Sequence, residues 1–184
     1  MKFNEHSQLI GEHSFLSPSK YSWTNYDLLK MESVYRNHLA QERGTDIHEF
    51  ASHCIRLGQM LPKKDKTLNL YVNDAIRYRM SPEQPLVYSR NCFGTADAIS
   101  FDDDLLRIHD LKTGVIPAHM RQLEAYAALF CLEYKMTPGS IGMELRLYQD
   151  DQVVCHSPEP DDICQIMEKV VQFDALIEKI KLEG

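Results

Sequence analysis

Apolar residues first recur along the chain at helical spacing. Ser17 is a candidate N-cap with Pro18 behind it, and Leu28, Met31, Tyr35 and Leu39 then form a stripe that predicts a first helix. After "QERG", a second helix is expected from about Thr45, with Ile47, Phe50, Ala51, Cys54, Ile55 and Gly58 on its buried face. "LPKKDK" reads as a basic loop and "TLNLYVNDAIRYRM" as another helix. The period then changes to two. Strands are expected at Leu86–Cys92, Thr95–Phe101 and Leu105–Lys112, the last two joined by a turn at Asp102–Asp104, because aspartate tolerates turn conformations.

Beyond the strands, Ala118–Tyr134 predicts a helix with a Leu123, Ala127, Phe130, Cys131, Tyr134 stripe, stopped by Pro138-Gly139. "SIGMELRLYQDDQVVCHS" reads as a hairpin turning at Asp150-Asp151. A last helix, near Asp161 to Lys181, presents Ile163, Ile166, Val170, Phe173, Ile177 and Ile180. This order predicts an α/β fold with a small central mixed sheet flanked by helices. No repeat or linker interrupts it, so residues 1–184 are expected to form one domain. Its parts are a helical stretch at about 17–82, a sheet and helix at about 84–150, and a closing helix at about 160–181.

Composition changes this picture little. A chain of 184 residues, 43% hydrophobic and 26% charged, is sized and composed for a proper core. No apolar run of about 18 residues occurs, so no membrane span is expected, and the N-terminal stretch lacks a secretory apolar region. Five cysteines form no C-x-x-C pair, which fits reduced thiols in the cytoplasm. Taken as a total, the net charge of −7 argues against a nucleic-acid partner. Its distribution removes that argument. Residues 1–99 carry 12 Lys/Arg against 11 Asp/Glu, and residues 100–184 carry 8 against 16. A polyanion can meet the first part, while the acidic second part offers a surface to a protein partner.

The informative stretch is "GTADAISFDDDLLRIHDLKTG", residues 94–114. Alternation makes Asp97, Ile99 and Phe101 of one strand point the same way, and likewise Leu106, Ile108, Asp110 and Lys112 of the next, so the two carboxylates can converge at one edge of an otherwise apolar face. Pairing across the aspartate turn sets Phe101 near Leu105 and Asp97 near the Ile108–Asp110 region. Taken alone, the triplet of Asp97, Asp110 and Lys112 also fits a buried salt bridge. Two carboxylates facing one ammonium, however, leave excess negative charge in a half-buried place, which a divalent cation relieves. Oxygen ligands favour Mg²⁺ or Mn²⁺ over Zn²⁺. On the following helix Gln122 and Tyr126, four apart, share a face distinct from the apolar stripe; by themselves they fit a solvated surface equally well.

In order along the chain, "RGTDIHE", "GTAD", "HDLKTG" and "QLEAYA" resemble the motifs of the PD-(D/E)XK nuclease superfamily, most closely its RecB-like branch, which includes phage exonucleases. "LSPSKYSWT" is similar to the serine-rich opening of such domains, and the resemblance covers roughly Ser17 to Tyr148. It implies a restriction-endonuclease-like core and a Mg²⁺- or Mn²⁺-dependent deoxyribonuclease with one or two ions, an exonuclease in preference to an endonuclease. Such an enzyme serves DNA recombination, repair or phage DNA processing in the cytoplasm of a bacterium or a phage-infected host.

Residue by residue, the resemblance makes Asp97 and Asp110 metal-binding carboxylates, the Leu111 carbonyl a further ligand, and His48 the histidine completing the set. His48 by itself fits a core-edge histidine. Lys112 corresponds to the lysine that positions or deprotonates the attacking water. Gln122 and Tyr126 orient that lysine or touch the DNA backbone, and Glu49 has a supporting role. Ala96 stands where the family name has proline. Some relatives hold an iron–sulfur cluster with one early and three late cysteines; only Cys155 and Cys164 lie late here and none precedes Cys54, so no cluster is expected. Lys63, Lys64, Lys66, Arg77, Arg79 and Arg90 are candidates for phosphate contacts, and Tyr21 and Trp23 for base stacking, although packing suits Trp23 better. The alternatives are a non-cutting DNA- or protein-binding member of the fold and a subunit active only in a larger complex. An oligomer is also compatible with the sequence.

Overall fold

The computed structural model describes residues 14–114 and 119–183, in two compact units that divide between Glu42 and Arg43. In the first, Pro18–Asn25 forms a 3₁₀ segment rather than the start of an α-helix. The Trp23 indole N–H donates to the Ser17 carbonyl at 3.1 Å, so this aromatic tightens its own turn. Tyr21 is exposed. Helix α1 spans Leu28–Leu57, and its N-terminus is capped by Asp27, whose carboxylate accepts the Lys30 N–H at 2.7 Å.

Helix α1 does not break at "QERG", where two helices were expected. Gln, Glu and Arg are good helix formers, and Gly44 has a different purpose: a Cβ there would come within 3.0 Å of the Thr113 hydroxyl. The true stop is Gly58 at φ 65°. The N–H groups of Gly58 and Gln59 donate back to Ile55 and Cys54, a Schellman-type closure.

The second unit is built on one five-stranded sheet in the order β1-β2-β3-β4-β5, with β1 Ser81–Ser89, β2 Cys92–Asp102, β3 Leu105–Leu111, β4 Gly142–Gln149 and β5 Gln152–His156. All neighbours are antiparallel except β3 and β4, which are parallel and joined through helix α3, Arg121–Tyr134. The two Asp-rich turns form as expected. Asp103 and Asp104, and likewise Asp150 and Asp151, take positive φ between 49° and 59°, the conformation of two-residue hairpin turns. The register places Phe101 opposite Leu106, one residue from the expected Leu105. Strand β1 starts five residues before the expected Leu86 and ends before Cys92. Its Pro82 and Pro85 are tolerated because β1 is an edge strand.

Helices cover both faces. Ile99, Leu106, Ile108 and Leu145 pack with Leu123, Ala127 and Phe130 of α3 and Ile163 of α4, Pro160–Glu183. Ala98, Leu111 and Tyr148 pack with Ala51, Cys54 and Ile55 of α1 and with Tyr71, Val72 and Ala75 of α2, Thr67–Arg77. The chain is thus an α/β structure with a mixed sheet between helices. Several expected core positions are outside it: Phe50, Tyr134, Phe173, Ile177 and Ile180 are all exposed. The apolar packing of α4 on the sheet ends at Val170; beyond it Asp174, Glu178 and Lys181 meet Ser89 and Asn91 through hydrogen bonds, so the periodic apolar stripe outlasts its apolar partner. Ala118, the expected first residue of α3, lies outside the described residues. Among the described residues, no helix is long and apolar enough to cross a membrane.

Candidate metal centre

The β2–β3 hairpin fixes the first two groups. Its paired register ends at Ala98 opposite His109, so Asp97 and Asp110 occupy the next cross-strand position. Asp110 shares the face of Ile108, towards α3, and is only 2% exposed. The Lys112 ammonium lies 2.9 Å from Asp110 Oδ1 and 2.8 Å from Oδ2, and donates at 2.9 Å to Gln122 Oε1 on α3. Beyond β3 the chain stays tied to β4, for the Lys112 N–H donates to the Tyr148 carbonyl at 2.9 Å and Gln149 holds the Gly114 carbonyl. The lysine tip is therefore held by two partners above an anchored backbone.

Asp97 makes different contacts. Its Oδ2 accepts the Leu111 N–H at 2.9 Å and lies 3.5 Å from His48 Nδ1 on α1. Leu111 thus meets the carboxylate through its amide N–H. The Asp97 carboxyl is pushed up to about 6, first by burial and then by the charge of Asp110, against weaker opposing pulls from His48, the Leu111 N–H and Lys112. One lysine and one histidine do not offset the negative charge gathered here.

Glycines join the pieces. A Cβ on Gly94 would lie 2.9 Å from Cε1 of Tyr126, so the glycine of "GTAD" exists to admit the tyrosine of "QLEAY". Gly44 of "RGTDIHE" does the same for Thr113 of "HDLKTG". Tyr126 lies within hydrogen-bonding reach of Gln122, and its phenol is raised above the usual value, chiefly by burial.

Sequence reasoning missed Glu83. It lies between Pro82 and Gln84, which pair with Ala98 and Ala96, and so stands across the sheet from Asp97. One ligand atom each from His48, Glu83 and Asp97 falls within 4.8 Å of the others, a spacing that suits a shared cation. Glu83 has φ 52°, a left-handed conformation costing a non-glycine residue about 1–3 kcal/mol. The weak signal in the sequence was a glutamate held between two prolines in "SPEQP", on a stretch that did not read as strand.

The residues present fit a divalent metal. Asp110 Oδ2 is buried without a well-aligned hydrogen bond; Lys112 Nζ is close to it but aligned on Oδ1. Carboxylates with one imidazole make a donor set that could hold a metal ion. Asp110 lies outside the His48–Glu83–Asp97 group, with Asp97 the carboxylate next to both.

The expected phosphate-binding residues are scattered. Lys66 is paired with Asp151 at 2.6 Å, which raises its ammonium, and flanks an open cavity of about 330 Å³ that also reaches Lys112 and Thr113. Arg77 pairs with Asp74 at 3.6 Å at the opposite end of α2. Lys63, Lys64, Arg79 and Arg90 are exposed, and Glu49 lies beside His48 in a second groove. Comparison with family models, curated proteins and solved structures finds no match.

Proposed function

We propose that this chain is a metal-dependent deoxyribonuclease of the PD-(D/E)XK superfamily, in its RecB-like branch, with a restriction-endonuclease-like core around β2, β3, β4 and α3. One observation carries the reading. Four short motifs spread between Gly44 and Tyr126 meet in space, with Lys112 bridging Asp110 and Gln122 beside Asp97 and His48. A structural ion pair needs a lysine and one aspartate. It needs neither a second carboxylate pushed up to about 6 nor a histidine against it.

In this reading His48, Glu83, Asp97, Asp110 and the Leu111 carbonyl hold the cation. The ion supplies charge neutralisation at an anionic phosphodiester and a more acidic water. Lys112, fixed by Asp110 and Gln122, holds its ammonium where a non-bridging phosphate oxygen gathers charge, and keeps the attacking water in place. Gln122 orients the lysine, and Tyr126, wedged on Gly94, limits how α3 sits against β2. Water adds at phosphorus, the P–O bond to the leaving nucleotide breaks, and the proton passes to the leaving oxygen. An exonuclease suits recombination, repair or phage DNA processing.

The test is incubation of purified protein with end-labelled linear and with circular DNA in Mg²⁺ or Mn²⁺. Linear DNA is expected to be degraded from its ends, and Asp110→Ala to be inert. Equal cleavage by the variant, or no cleavage by the wild type with any ion, overturns the proposal; cutting of circles with Asp110→Ala inert makes it an endonuclease.

A further inference from the structure

Beyond His48, helix α1 continues with a polar face that the metal centre does not use. Ser52, His53 and Arg56 follow it, and with Thr45, Glu49 and Glu83 they line an open groove of about 420 Å³. His48, Ser52 and Arg56 are four residues apart, so they lie in one row along the helix. His48 and Glu83 belong both to this groove and to the ligand group, so the groove opens directly from the metal centre. Among the described residues, Arg56 and His53 are exposed and have no ion-pair or hydrogen-bond partner.

We infer that this groove is a subsite for the DNA backbone, in which Arg56, assisted by His53 and Ser52, takes a phosphate of the strand whose scissile phosphate lies at the metal. The inference rests on the nuclease reading. Three physical points support it. An unpaired guanidinium at the mouth of an anionic centre attracts a polyanion that Asp97, Asp110 and Glu83 would otherwise repel. Its planar fork matches phosphate oxygens better than an ammonium does. Arg56 lies about 12 Å along the helix axis from His48, longer than one phosphate-to-phosphate step of a strand. The phosphate it holds is therefore a neighbour of the scissile one and not the scissile one itself. The strand runs along α1, and cleavage favours substrates with more than one nucleotide on that side of the cut.

The test compares wild type, Arg56→Ala and Arg56→Lys on labelled DNA across a range of salt, with Mn²⁺ affinity measured by calorimetry. Arg56→Ala is expected to raise KM about tenfold and to reduce the slope of log affinity against log salt by about 1, with much smaller effects on kcat and Mn²⁺ affinity. Arg56→Lys is expected to restore the salt slope. Shortening the substrate to one nucleotide on either side of the cut should remove the difference between wild type and Arg56→Ala. An unchanged KM and salt slope in Arg56→Ala, with active wild type, overturns the subsite alone. A fall in kcat at constant KM overturns it as well, by placing Arg56 at the reacting atoms. Inactive wild type overturns the nuclease reading first.

Discussion

Replacing Asp97 by Asn should stabilise the metal-free protein, and only above a defined pH. The carboxyl is 14% exposed and is pushed from an ordinary 3.8 up to about 6 by burial and by Asp110. Because the folded-state value lies above the unfolded one, ionisation of Asp97 opposes folding. Its favourable contribution is complete below about pH 4 and is lost as pH rises through about 6. At about 1.4 kcal/mol per pH unit, the gap corresponds to about 3 kcal/mol. Asn keeps an oxygen for the Leu111 N–H while removing the charge. In EDTA at pH 8, Asp97→Asn should therefore be more stable by about 2–3 kcal/mol, which moves the urea midpoint up by about 1 M. The gain should vanish towards pH 4. Comparing variant with wild type at each pH isolates this group from the rest. Mn²⁺ at 100 times its dissociation constant should stabilise the wild type by about 2.7 kcal/mol and leave the variant nearly unmoved. An Asp97→Asn protein less stable than wild type at pH 8, or a difference independent of pH, refutes the charge argument on which the metal centre stands.

Lys112→Ala should lower kcat by about 100-fold or more while Mn²⁺ affinity holds or rises, because Asp110 loses its competing cation; calorimetry showing affinity lost together with activity refutes this. Gly94→Ala should cost about 1–3 kcal/mol through the clash with Tyr126, and a double-mutant cycle should find the cost gone in a Tyr126→Ala background. Glu83→Gly should relieve the left-handed backbone and stabilise the metal-free protein by about 1 kcal/mol while weakening Mn²⁺ binding; an unaltered Mn²⁺ isotherm removes Glu83 from the ligand set.

Local patterns carried much of this structure. Alternation in "ADAISF" and "LLRIHDL" gave the hairpin, and the consecutive aspartates gave both turns, because strand period and turn chemistry act within a few residues. The same locality singled out Asp97, Asp110 and Lys112 as charges among strand positions, whereas Gln122 and Tyr126 were singled out by the motif resemblance. Errors arose where a residue's reason lies far along the chain. Gly44 looked like a helix stop, yet it makes room for Thr113, 69 positions later. Phe173, Ile177 and Ile180 kept helical period where α4 meets the β1–β2 hairpin only through polar side chains, since periodicity records a potential face and not what covers it. Pro82 and Pro85 hid β1 because edge position is a property of the sheet.

The sequence by itself determined the alternation of the central strands, the acidic turns and the residue types of the proposed cation centre. All of these follow from backbone preference and side-chain chemistry at short range. The tertiary structure alone decided that His48 on α1 reaches Asp97, that Gln122 on α3 holds Lys112, and that Glu83 joins from an edge strand in a strained conformation. Those contacts depend on which strands pair and on how helices pack over them, and burial of apolar area across the whole sheet sets that arrangement, not any one segment.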